Sequence, residues 1–227
     1  MRTRLVPFLL LAGLALSLPG SRGRAATKAD DSEPASPFKG ALVLRVKPLD
    51  ELIADVRYVT QLAGREEEAK QFEKLLKSKT GPKGLEGIDT KKPIGAYGIL
   101  KAKLDESQGV VLLPIADEQT FLKFLETMDL KAEKDKGGLY TLTSDMVPFP
   151  LLFRFANNYL YGTVKVNDRS AAALDKGKLP LPSSVLAGAS GSVVSLTANL
   201  DQVPAQLRKT AISFMALQLG KIGRAHV

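Results

Sequence analysis

The chain has 227 residues, of which 32 are Lys or Arg, 24 are Asp or Glu, one is His and none is Cys. The absence of cysteine excludes disulfides, thiolate metal sites, a cysteine nucleophile and the lipid-bearing cysteine of a bacterial lipoprotein. The formal charge of +8 is carried mostly by the two ends: without Arg2, Arg4, Arg22, Arg24, Lys221 and Arg224 the balance is +2, which gives no push toward a nucleic-acid partner.

Residues 1–25 read as a secretory signal peptide. Arg2 and Arg4 precede an apolar run from Leu5 to Leu18, Pro19-Gly20 breaks it, and Gly23 and Ala25 supply the small residues of a cleavage site. The run is shorter than the roughly 20 residues that cross a bilayer, so no transmembrane segment is expected after cleavage. Residues 26–39 are polar, contain proline and lack periodicity, as a disordered linker does.

Order is expected from Gly40. "GALVLRV" (40–46) is apolar and β-branched, hence a strand. Leu49, Leu52, Ile53, Val56, Val59 and Leu62 then fall at helical spacing, with Pro48 and Asp50 suited to a helix start. After Gly64 a second helix places Phe72, Leu75 and Leu76 on one face, with Glu66–Lys70 and Glu73–Lys77 as (i, i+4) pairs. Residues 78–93 form a long loop. Gly81, Gly84 and Gly87 in it match neither phosphate-binding glycine spacing.

A hairpin follows, "IGAYGILKAKL" and "VVLLPIA" about the turn "DESQG". Asp117 opens a helix whose Phe121, Phe124, Leu125 and Met128 share a face. Two more hairpins are predicted, one turning at Gly137-Gly138 and one at Asn157-Asn158, residue types that accept the positive φ of primed turns. Phe149, Phe153, Phe155, Tyr159 and Tyr161 read as strand residues facing a core. "NDRSAAALD" is a short helix, "GKLPLPSSVLAGAS" a loop and "GSVVSLTA" a strand, and a last helix begins after Asp201.

Residues 40–57 and 191–208 align at an offset of 151, with identities at Gly40/Gly191, Val43/Val194, Leu49/Leu200, Asp50/Asp201, Ala54/Ala205 and Arg57/Arg208. Residues 40–190 are therefore expected to be one α+β module, and residues 191–220 the start of a truncated second copy. Intramolecular packing against the missing repeat would cover Ile212, Phe214, Met215, Leu217 and Leu219. The closing stretch Lys221–Val227 resembles a translated sequencing adapter and is read as an artefact, so His226 carries no chemistry.

With His226 set aside, Ser-His-Asp and Cys-His catalysis and His-ligated zinc drop out. Asp50-Glu51, Asp105-Glu106 and Asp117-Glu118 are adjacent carboxylates that point in different directions, so none is a ready acid–base couple. Asp50, Asp117 and Asp201 stand at expected helix starts, where a carboxylate caps free N–H groups. No catalytic residue, no cofactor-binding residue and no metal ligand is assigned, and no cofactor is expected.

The order "KPIGAYGILKAKLDESQGVVLLPIADEQTFLKFLE", "GGLYTL", "LLFRFANNYLYGTVKV" resembles large exported proteins of unknown function from planctomycete-type bacteria. The resemblance covers residues 38–220 and brings no catalytic residues. Together these readings give an α+β fold, an antiparallel sheet built from β-hairpins with amphipathic helices packed on one face. The expected function is a non-catalytic periplasmic or cell-surface binding or scaffolding module. The alternative is the N-terminal part of a secreted, hydrolase-like enzyme whose active site lies beyond Gly220.

Overall fold

A computed structural model describes residues 38, 40–68, 70, 71, 74, 85–144, 149–188, 192–210, 212 and 213. The expected signal peptide, all of the linker but Phe38, the face of Phe72, Leu75 and Leu76, Gly81 and Gly84, Gly191, the helix end from Phe214 and the tail with His226 lie outside these residues.

Eight strands make one sheet: β1 (Leu42–Val46), β2 (Ile94–Ile99), β3 (Gln108–Pro114), β4 (Lys131–Lys134), β5 (Tyr140–Thr143), β6 (Leu151–Ala156), β7 (Tyr159–Val164) and β8 (Val194–Ala198). Their order is β4-β5-β6-β7-β3-β2-β1-β8, and every pair is antiparallel. Among the described residues the helices are α1 (Leu49–Leu62), α2 (Glu118–Thr127) and α3 (Pro182–Leu186); residues 66–68, 70, 71, 74, 205–210, 212 and 213 are also helical. The expected α+β fold with an antiparallel, hairpin-built sheet is thus observed.

The turns explain the hairpins. Asn157 and Asn158 have φ of 52° and 58°, the two positive values of a type I′ turn, whose twist matches the β6–β7 pair it joins. The β4–β5 connection differs from the expected two-residue Gly137-Gly138 turn. Its last pair is Lys134↔Tyr140, and the Asp135 carboxylate accepts the N–H groups of Gly137 and Leu139, each at 2.8 Å. An aspartate that bonds its own downstream backbone makes a longer loop as stable as a tight one.

Both faces of the sheet are covered, by different devices. On one face Val43, Tyr97, Val110, Leu112, Leu152 and Tyr161 pack under Leu174, Val185 and Leu186. On the other, Phe153, Tyr140 and Leu142 pack under Phe121, Phe124 and Leu125 of α2. Burying each of these large side chains contributes about 1.5–3 kcal/mol. The first cover includes α3, in a stretch read from sequence as loop. Pro182 at its first turn pre-sets the helical φ, and Val185 and Leu186 are buried. Gly95 has no Cβ where Leu186 Cδ2 sits, so the short helix lies close on β2.

α2 is capped as the sequence predicts: the Asp117 carboxylate accepts the Thr120 N–H at 2.6 Å. At the other two expected caps Pro48 stands before α1 and Asn199 before a three-residue 3-10 turn, Leu200–Gln202, that contains Asp201; neither Pro48 nor Asn199 makes a side-chain cap bond. Asp50 lies in the first turn of α1, and its N–H donates to the Thr90 carbonyl at 3.1 Å. α1 departs further from expectation. Its apolar stripe exists, but none of its residues is buried, and Val56, Val59 and Leu62 are exposed. Downstream, Lys70 pairs with Glu67 at 2.7 Å rather than with Glu66.

Gly87 is a structural glycine. Its carbonyl accepts the N–H groups of Ala116 at 2.8 Å and Asp117 at 3.2 Å, seating the entry of α2. Its φ is +81°, and a Cβ there would collide with the backbone of Phe121. Gly87→Ala should therefore cost about 2 kcal/mol or more through backbone strain plus overpacking. Urea unfolding checks this, with Gly109→Ala, where a Cβ meets nothing within 4 Å, as the control expected to move far less.

Candidate functional site

Three surface features come into question: two adjoining clefts at the entry of α2, and an open strip of the sheet. The larger cleft, about 340 Å³, is lined by Ala116, Asp117, Glu118, Gln119, Asn158 and Tyr159 among others. The smaller, about 180 Å³, lies between Glu118, Lys134, Gly138, Arg154 and Lys176. Glu118 and Phe155 border both.

The charged groups of these clefts are mostly committed to the fold. Arg154 Nε donates to the Leu174 carbonyl at 2.9 Å and its Nη1 to the Gly137 carbonyl at 2.6 Å. It ties the β4–β5 loop and the covering segment to β6, a job for which a planar, five-donor cation is suited. Lys134 Nζ stands 5.3 Å from the centre of the Tyr140 ring, a cation–π contact. Asp117 is held below the usual carboxylate range by bonding from the Thr120 side chain and then from the Thr120 N–H, with Lys123 adding to it and slight desolvation opposing.

The adjacent carboxylates do not combine. Glu106 meets Arg169 at 3.3 Å, Asp117 caps α2, and Asp50 sits in the first turn of α1. Among the described residues no three His, Cys, Asp or Glu side chains converge to hold a metal ion. None of the described helices is long and apolar enough to cross a membrane.

The aromatic residues expected to face a core divide by strand parity and loop position. Phe153, Tyr159 and Tyr161 are buried, while Phe149, ahead of β6, is exposed. Tyr159 donates to the Pro93 carbonyl at 3.1 Å and Tyr161 to the Pro180 carbonyl at 2.6 Å. These bonds satisfy the hydroxyls of Tyr159 and Tyr161. Burial pushes Tyr159 up to about 12, with Asp89 and Tyr161 adding to it. Burial also raises Tyr97 and Tyr161.

The third feature was missed from sequence. On the α2 face, one row of residues crosses the sheet: Leu196, Leu44, Ala96, Val111, Gly162, Phe153, Tyr140. Its Phe153–Tyr140 end is buried, with the rings stacked at 4.9 Å. Its other end is open: Leu196 is 69 % exposed, Leu44 37 % and Val111 50 %. Leu42 and Val164 lie on the same open half and are also exposed. The signal was the alternation of β1 and β3, apolar at both parities, which marks a strand with two faces to cover.

No family model, curated protein or solved structure matches this chain.

Two outcomes test this account of the clefts. The Asp117 pKa is depressed in the fold, so its contribution is present above the unfolded value of about 3.9 and is lost as pH falls through the folded one. Asp117→Ala should lower the urea midpoint at neutral pH, and the difference from the parent should shrink in acid below that range. The buried tyrosines have the opposite sign. Their raised pKa values give a contribution that is complete below about pH 10 and is lost as pH climbs through the folded values. Tyrosinate absorbance should therefore rise in two stages, with Tyr97, Tyr159 and Tyr161 ionising only in the second; a single stage would show their hydroxyls to be open to solvent.

Proposed function

We propose that this chain is an exported, non-catalytic binding or scaffolding module that works through the open apolar strip of its sheet. The observation that carries this reading is the row Leu196–Leu44–Ala96–Val111, which continues the buried core row into solvent. Singly exposed apolar residues are ordinary, but a contiguous patch of them marks an interaction surface. The exposed stripe Val56, Val59 and Leu62 of α1 adds to the apolar surface awaiting a partner. Export is supported by the basic start and apolar run of residues 1–25, and a periplasmic or cell-surface location follows from it. The clefts support binding better than turnover, since Asp117 and Arg154 are engaged in holding the fold.

Val111→Lys should reduce binding of the hydrophobic dye 1-anilinonaphthalene-8-sulfonate by the native chain while leaving its circular dichroism unchanged. Equal dye binding would remove the strip from consideration. Chromogenic ester, phosphate and glycoside substrates should show no turnover above buffer. Turnover abolished by Glu118→Ala would overturn the non-catalytic reading and favour a hydrolase centred on the α2 clefts.

A further inference from the structure

The open strip ends at β8, and β8 carries a polarity mismatch. Val43↔Thr197 and Arg45↔Ser195 are cross-strand partners, so Ser195 and Thr197 share the face covered by α3. Ser195 Oγ is buried there and has no hydrogen-bond partner, while Val194 and Leu196 stand exposed on the opposite face. A slip of one residue would exchange the two sets, because side chains alternate with a period of two.

The sequence match between the two strand-and-helix segments points the same way. Val194 corresponds to Val43 and Leu196 to Arg45, and Val43 is buried on the α3 side. Two copies of one strand paired antiparallel about a two-fold axis keep equivalent side chains on the same face. The present register, Leu44↔Leu196, breaks that rule. Setting Leu44 opposite Ser195 restores it, brings Leu196 opposite Val43 and turns Ser195 to solvent. The slip gives up the exposed Arg45–Thr197 hydrogen bond of 2.8 Å and relieves a buried hydroxyl that has no partner.

β8 is also an edge strand among the described residues. Lys47 N–H donates to the Val193 carbonyl and Asn199 N–H to the Ala41 carbonyl. By antiparallel alternation the N–H and C=O groups of Val194, Leu196 and Ala198 therefore point away from β1, toward the outer edge. Strand β1 is followed by α1, and β8 by the helical residues 205–210. The open edge and the apolar strip meet at the β1–β8 pair; in the slipped register Leu196 leaves the strip for the α3 face, and Leu44, Ala96 and Val111 remain beside the edge that the occupant takes.

We infer that β8 and residues 205–210 are the first strand and helix of a second module of the 40–190 type. The β2-like strand of that module takes the outer edge of β8 and draws β8 one residue along β1. This inference rests on the reading of the apolar strip as a binding surface and names its occupant.

The absence of cysteine makes the test clean, since introduced thiols are the only ones present. Leu44→Cys is combined with Leu196→Cys, the pair of the present register, or with Ser195→Cys, the pair of the slipped one. Both pairs are made in the full chain and in a tandem carrying residues 58–190 appended after Arg208, the position equivalent to Arg57. The chain alone should form the 44–196 bridge under mild oxidation. The tandem should lose it and form the 44–195 bridge, with slower amide exchange in β8. A tandem that keeps the 44–196 bridge, or gains no protection, overturns the inference.

A second measurement needs no tandem. Ser195→Val with Leu196→Thr should raise the urea midpoint of the chain alone by repairing the present register, and a lowered midpoint would refute the mismatch. The dye experiment at Val111 separates the two levels: if dye binding falls with Val111→Lys but the tandem keeps its 44–196 bridge, the strip binds something other than a second module.

Discussion

The pairing of β3 with β7 is the constraint on which the sheet depends. It joins β1-β2-β3, in which β2 and β3 form a hairpin and β1 pairs across the α1 connection, to the successive strands β4-β5-β6-β7. At its centre Leu112 lies opposite Tyr161, and both are wholly buried. The Tyr161 hydroxyl reaches the Pro180 carbonyl and pins the covering segment, Arg154 on the next strand holds Leu174, and Val111 and Gly162 set the opposite face on which α2 lies. A one-residue shift here would put Leu112 and Tyr161 on opposite faces, and a β3 turned over in this way would carry Val111 into the core in place of Leu112.

The two halves of the molecule are finished to different degrees. Beneath α2 the side chains pack together: aromatic rings of Tyr140, Phe153, Phe155 and Phe121 meet at centroid distances of 4.9–6.1 Å, and Gly87 admits the helix at close range. Around β1 and β8 it is open. In the first half the large apolar side chains are buried against one another. The second has the composition of an interior and the exposure of a surface, and that contrast within one sheet makes the strip, rather than the polar clefts, the feature that calls for a partner.

Much of this was legible in the sequence where a local rule decides the structure. Asn157-Asn158 names its own turn, and Asp117 with Phe121, Phe124 and Leu125 names a capped, one-sided helix. The rest depends on tertiary context. A five-residue helix such as α3 has no period to read. The stripe of α1 predicted a helix correctly, but periodicity says which side is apolar and not whether anything lies against it. Phe149 and Phe153 are both aromatic and close in sequence, yet one is exposed ahead of β6 and the other stacks on Tyr140. Adjacent acids gave no site because each was drawn to a different neighbour: Asp117 to a helix N–H, Glu106 to Arg169.

The place of β8 beside β1 has a consequence in time. The two strands are separated by about 150 residues of sequence, whereas the chain between them is paired largely through successive hairpins. Emerging at roughly 5–20 residues per second, the chain leaves the outer edge of β1 without its neighbour for about 7–30 s after that strand appears. For that interval the molecule presents a bare, apolar β-edge to whatever else is nascent nearby, so its yield is set by how crowded its site of synthesis is as well as by the stability of the finished sheet.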